Sequence, residues 1–184
     1  MIKKIEAEID TKDFGNEMLY LMCKNDFSKH TDSNIVAGKF WIIGRSYAVS
    51  PERTKSEKIE KNDEEIKHEY FFDGIGEIFA NKYGKELDRR IKDFKNKKYD
   101  KTENNDEEII TETVELVLWF SENIWETVKE YGSPKRIYKP QNYISFASKY
   151  LHFHLPEIVF ILDNDARDRS SKLFASKMVA SNEL

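Results

Sequence analysis

The chain has 184 residues, a formal net charge of −4 and a single cysteine. That length suits one domain with a core and a cleft, and 13% aromatic with 35% charged residues is a globular rather than a disordered composition. The acid excess excludes a uniformly basic nucleic-acid binder but leaves room for a local basic face. The lone cysteine excludes an internal disulfide and points to a reducing compartment. No apolar run approaches the roughly 20 residues that span a bilayer, and MIKKIEAEID holds no apolar signal region. The expectation is a cytoplasmic protein without membrane contact.

Residues 1–10 alternate weakly between apolar and charged, as a short strand or an irregular arm would. Thr11 or Asp13 can cap a helix carrying Met18, Leu19, Leu21, Met22 and Cys23. Cys23 reads as a buried thiol, because no catalytic partner is identifiable beside it. The stretch 31-TDSNIVAGKFWIIGR-45 predicts a buried helix around 34–44 with Trp41 in the core. Ser50-Pro51 marks a turn or a helix start. Residues 55–69 are almost entirely charged, as in a linker or a solvated helix. From 70 to 96, Tyr70, Phe71, Ile75, Ile78, Phe79, Tyr83, Leu87, Ile91 and Phe94 recur at threes and fours, which predicts a helix.

Residues 95–108 are polar and charged and read as a mobile loop. The clearest helix follows at 108–131. Ile110, Val114, Val117, Ile124, Val128 and Tyr131 share one of its faces, and Gly132 stops it. The next loop carries Lys135, Arg136 and Lys139, and no acid appears until Glu157. A helix over about 142–154 ends before Pro156, a short buried apolar connector runs through 158–162, and a last helix covers about 165–179. Strand-like alternation is confined to 1–10 and 157–162. The fold class is therefore mostly α, a compact multi-helix single domain.

The richest segment is 144-ISFASKYLHFHLPEIVFILDNDAR-167. Ser145, Ala147 and Ser148 let a helix pack closely on another backbone. The connector delivers Asp163 to a turn, where its carboxylate can accept backbone N–H bonds as a helix cap and still face a cleft. Asp165 and Asp168 suit the start and the solvated side of the last helix. Asp163-Asn164-Asp165 is not a calcium loop, since the sixth and twelfth positions are Asp168 and Phe174 instead of glycine and glutamate. His152 and His154 lie about 200° apart around a helix and cannot readily hold one metal together. They read as a packed or hydrogen-bonded pair near a cleft rim. Upstream, 44-GRSYAVSPER-53 places Arg45, Tyr47 and Arg53 after an apolar segment. Those types suit a base or phosphate site through stacking and bidentate bonding. Alternatively they form a surface ion pair with Glu52 and a core tyrosine.

The order of helix, apolar connector and aspartate resembles the helix-hairpin-helix DNA glycosylase superfamily. Ser145 lies eighteen residues before Asp163, at the position that is lysine in the glycosylase/lyases and serine in several monofunctional members. The resemblance covers about 108–180 and implies Asp163 as the catalytic carboxylate with Ser145 beside it. It also implies a pocket near His152, His154 and Arg167, and a DNA-facing surface. Lys135, Arg136, Lys139 and Lys149 are candidate phosphate contacts there, with Arg45, Tyr47 and Arg53 on the opposite wall. The chain departs from that superfamily at the hairpin. The glycine-rich turn Leu-x-Gly-Val-Gly is absent from 134-PKRIYKPQNYIS-145, and no iron–sulfur cysteine set is present. No cofactor and no metal is expected. The expected activity is hydrolysis of the N-glycosidic bond of a modified or mismatched base, in DNA more than RNA, as in DNA repair. Two alternatives are a non-catalytic nucleic-acid or nucleotide binding module of the same fold, in stress response or phage defence, and a protein–protein interaction module.

Overall fold

The structure is a computed structural model that describes residues 11–24, 26–49, 51, 71–97, 106–132 and 139–162. Among these residues it is helical, with no strand. Six α-helices follow in chain order: α1 Thr11–Lys24, α2 Ser33–Ser46, α3 Phe71–Phe79, α4 Lys85–Asn96, α5 Asp106–Tyr131 and α6 Ile144–His154. A 3-10 turn, Asp26–Ser28, links α1 to α2, and a second, Pro140–Tyr143, leads into α6. A π-helical turn, Ala80–Gly84, joins α3 to α4 without breaking the rod.

The helix ends are set by local chemistry. Asp32 caps α2, its carboxylate accepting the Asn34 and Ile35 amides at 2.9 and 3.2 Å, a contact worth about 1 kcal/mol. At the other end Ala48 donates to the Arg45 carbonyl and Val49 to the Gly44 carbonyl. This is the double closure of a helix that ends on a left-handed residue. Ala48 holds that conformation at φ 54, where glycine is the usual occupant. Pro140 opens the turn before α6, and the Asn142 side chain accepts the Lys139 amide at 3.0 Å. Pro156 follows the end of α6, as the sequence indicates.

Aromatic rings fill the centre. Phe40 of α2 meets Phe79 of α3, Phe146 of α6 and Tyr150 of α6 edge to face, at ring separations of 5.3, 5.5 and 5.4 Å. Phe120 of α5 lies 4.9 Å from Tyr150. All five are fully buried. Such pairs contribute about 0.5–1.5 kcal/mol each beyond the area they bury. Gly76 lets α3 lie directly on α2, because a methyl group there would collide with the Ser33 carbonyl and with Ala37.

Several sequence expectations change. Trp41 is on α2 but 52% exposed rather than in the core, because the buried face runs through Val36, Ala37, Lys39, Phe40 and Ile43. On α5, Val117, Ile124 and Val128 are buried, whereas Ile110 and Val114 on the same face are exposed. The connector buries Val159 but exposes Phe160 and Leu162. The expected loop at 95–108 is shorter at both ends, since α4 runs to Asn96 and α5 begins at Asp106. The expected arm at 1–10, the charged stretch at 55–69, the basic residues at 135 and 136 and the last helix at 165–179 lie outside the described residues.

Candidate functional site

The first turn of α6 carries Ser145, and Lys149 follows four residues later on the same face. The Lys149 ammonium donates to Ser145 Oγ at 3.0 Å. Lys149 is buried, only 5% exposed, so it is not the solvated lysine that its type suggests. Tyr47, the residue that closes α2, sets its ring 6.0 Å from the same ammonium. Its hydroxyl donates to Asn16 Oδ1 at 2.6 Å, and burial raises its pKa above the usual phenol value. An amine, a hydroxyl and an aromatic ring thus meet at one place.

The connector is tied along α6 by two side chains. His152 Nδ1 donates to the Val159 carbonyl at 2.7 Å, a bond that fixes the tautomer because a carbonyl only accepts. Its Nε2 then accepts the Tyr20 hydroxyl at 2.7 Å. Ser148, which is fully buried, accepts the Leu162 amide at 3.0 Å. Leu162 is the residue before Asp163. It is held one helical turn from Ser145.

The structure therefore brings together Ser145, Lys149 and Tyr47. Arg45 is exposed on α2 and Lys139 is exposed at the turn before α6. Asp163, Lys135, Arg136, Arg53 and Arg167 lie outside the described residues. His152 and His154 do not form a pair: His152 serves the connector, and His154 points into the opposite side of the molecule, toward His30.

That second cluster has no counterpart in the sequence reading. His30 Nδ1 donates to Asp88 Oδ1 at 2.7 Å, and the His30 amide reaches the same carboxylate at 3.2 Å. His30 Nε2 lies 3.2 Å from His154 Nε2. The Lys39 amine lies 3.4 Å from both nitrogens, 3.3 Å from the Ser28 carbonyl and 3.4 Å from the Lys29 carbonyl. His30, Lys39 and His154 are 0%, 1% and 2% exposed. Burial holds both imidazoles well below their usual pKa, and the Lys39 charge adds to the effect. Burial also brings Lys39 down to about 8 and pushes the Cys23 thiol up to about 11. The Tyr150 hydroxyl is buried here with no hydrogen-bond partner among the described residues, and His154 Nδ1 is turned toward the Cys23 backbone. The close approach depends on Gly84, where any side chain would collide with the His30 carbonyl. Lys39 lies on the buried face of α2 with Val36 and Ile43, a face that the mixed apolar spacing of the segment does not single out. His30 and Asp88 gave no signal in the sequence.

Two apolar grooves open among the described residues. One, of about 780 Å³, lies between α1 and α2 and exposes Met18, Leu21 and Phe27. The other, of about 530 Å³, lies between α5 and the connector and exposes Ile110, Val114 and Phe160. Neither is lined by Ser145 or Lys149. No helix among the described residues is long and apolar enough to cross a membrane. Comparison with protein-family models, with curated proteins and with solved structures found no match to this chain.

Proposed function

We propose that the protein is a glycosylase-like hydrolase that releases a modified or mismatched base from DNA, with Asp163 as the catalytic carboxylate and Ser145 beside it. The observation that carries this reading is the Ser148–Leu162 bond. It fastens the residue before Asp163 to the turn of α6 next to Ser145 and Lys149. The expected neighbours are thus supported by a contact between parts of the chain that the sequence related only by spacing.

Base excision develops positive charge on the sugar as the base departs, and a carboxylate at that point stabilises it or activates water. The target base must first leave the stack and enter a pocket. Tyr47 offers a ring for stacking, and the exposed Arg45 and Lys139 offer charge for the phosphate backbone.

The test is incubation with duplexes bearing damaged or mismatched bases, followed by alkaline cleavage at abasic sites. Product from the wild type and a loss of at least about 100-fold in Asp163→Asn supports the reading. Inactivity across a broad lesion panel, with salt-dependent DNA binding retained, moves it to a binding module of the same fold. Borohydride trapping on abasic DNA that is lost in Lys149→Met would add a lyase step through the Lys149 amine. A protein-interaction module is the reading favoured by the exposed Met18, Leu21 and Phe27. It gains if DNA affinity is flat against salt.

A further inference from the structure

We propose that His30, His154 and Lys39 form a nitrogen-donor site for a divalent transition metal of the zinc class. This site is independent of the proposed base excision and lies at the other end of α6. His30 Nε2, His154 Nε2 and Lys39 Nζ form a nearly equilateral triangle with edges of 3.2, 3.4 and 3.4 Å. A tetrahedral centre with metal–nitrogen bonds of about 2.0–2.1 Å separates its donors by about 3.3–3.4 Å. The triangle therefore already has the dimensions of three corners of such a centre.

The donors are aimed by what lies behind them. Asp88 accepts the hydrogen bond of His30 Nδ1–H, which leaves the Nε2 lone pair facing inward, the carboxylate–histidine arrangement typical of metal-ligating imidazoles. His154 presents Nε2 to the same point while its Nδ1 faces the Cys23 backbone. Among the described residues no three of His, Cys, Asp and Glu converge on one point, so the third donor has to be Lys39.

As an ammonium, Lys39 is poorly served. Its four nitrogen and oxygen neighbours among the described residues all lie at 3.3–3.4 Å, beyond the range of about 2.7–3.2 Å for a good N–H···O bond. Tyr150, whose ring lies 5.3 Å from that of His154 and 5.7 Å from that of His30, carries a buried hydroxyl without a partner among the described residues. An unsatisfied buried hydroxyl beside a loose cluster is a sign of an occupant. A metal-bound water in the fourth position is an occupant of the right chemistry. The site need not open far to be filled, since the Asp88 side chain is 31% exposed. When the metal binds, the Lys39 ammonium releases one proton to solvent and its nitrogen lone pair becomes the third bond.

The experiment uses the full chain without a histidine tag, stripped with a chelator and then titrated with Zn²⁺ or Co²⁺. Binding is read by metal analysis after gel filtration and by the visible absorption of Co²⁺. The expected result is one equivalent per chain, a tetrahedral Co²⁺ spectrum and a raised Tm. His154→Gln should lose all three, and Lys39→Met should weaken binding at least tenfold and change the spectrum. Circular dichroism checks that each variant is folded, and should His154→Gln not fold, Lys39→Met decides. Less than about a tenth of an equivalent on folded wild type overturns the site and leaves the Lys39 ammonium as the resident cation. Wild-type affinity and spectrum in Lys39→Met overturn the donor set.

Discussion

The two ends of α6 hold two buried lysines in different company. At the N-terminal end Lys149 bonds to Ser145, four residues away on its own helix. At the C-terminal end Lys39 reaches His154 across 115 positions of sequence and His30 across nine. The first is a local arrangement that helical geometry supplies on its own. The second exists only when α2, α4, α6 and the segment before α2 have all packed. A local pair can be adjusted by single substitutions, whereas the assembled cluster binds its pieces into one unit.

The pH dependence of stability separates the two ends most strongly. In chelator-treated protein, burial lowers Lys39 to about 8 from an ordinary 10.5. Between those values the unfolded chain holds a proton that the folded chain has released, so stability rises with pH across pH 8 to 10.5. The expected rise, relative to Lys39→Met, is about 3 kcal/mol by chemical denaturation. The depressed His30 and His154 act in the same direction. Their contribution is complete above pH 6.5 and is lost as pH falls below it. A flat difference between wild type and Lys39→Met from pH 8 to 10.5 would show that the amine is not buried as a base.

Gly84→Ala should cost about 2–3 kcal/mol, because the added methyl meets the His30 carbonyl and forces the π turn and His30 apart. Its Tm should fall without a change in helix content. At the N-terminal end the effects are smaller. Ser148→Ala strands the Leu162 amide and should cost about 1–2 kcal/mol. Hydrogen exchange at Leu162 should accelerate while the amides of α6 stay protected. If Leu162 exchanges unchanged, Ser148 does not hold the connector. Ala48→Gly should stabilise by about 0.5–1 kcal/mol, since glycine adopts the left-handed closure of α2 without steric penalty. In metal-free protein Tyr150→Phe is expected to be neutral or to stabilise by up to about 1 kcal/mol, because it removes a buried hydroxyl with no partner among the described residues.

The same contrast explains what could be read from the sequence. The helices were legible because their signals are local: Asp32 before an apolar run, Gly132 after one, Pro156 just past His154, and apolar spacing through 70–96. Ser145 and Lys149 were legible as neighbours for the same reason. The Asp88–His30–His154–Lys39 cluster was not. Its members come from four segments, and nothing in the spacing of a histidine before α2 and an aspartate on α4 says they meet. Trp41 was misplaced because mixed apolar spacing gives two faces, and the long-range contacts of Phe40 decide between them. That Lys39 stands on the buried face was visible only once that face was known.

The π turn at Ala80–Gly84 accommodates one more residue than an α-helical turn. Everything after it, including Asp88, is turned back by about 100° and set back by about 1.5 Å relative to an uninterrupted α-helix of the same residues. The meeting of Asp88 with His30 thus depends on a count as well as on residue identity. Deleting a single residue from 80–84 would let the turn close as ordinary α-helix and leave the carboxylate on its present side, whereas straightening the turn without a deletion would turn the carboxylate by about 100°. The turn is therefore the place where this rod takes up one extra residue and still presents Asp88 to His30.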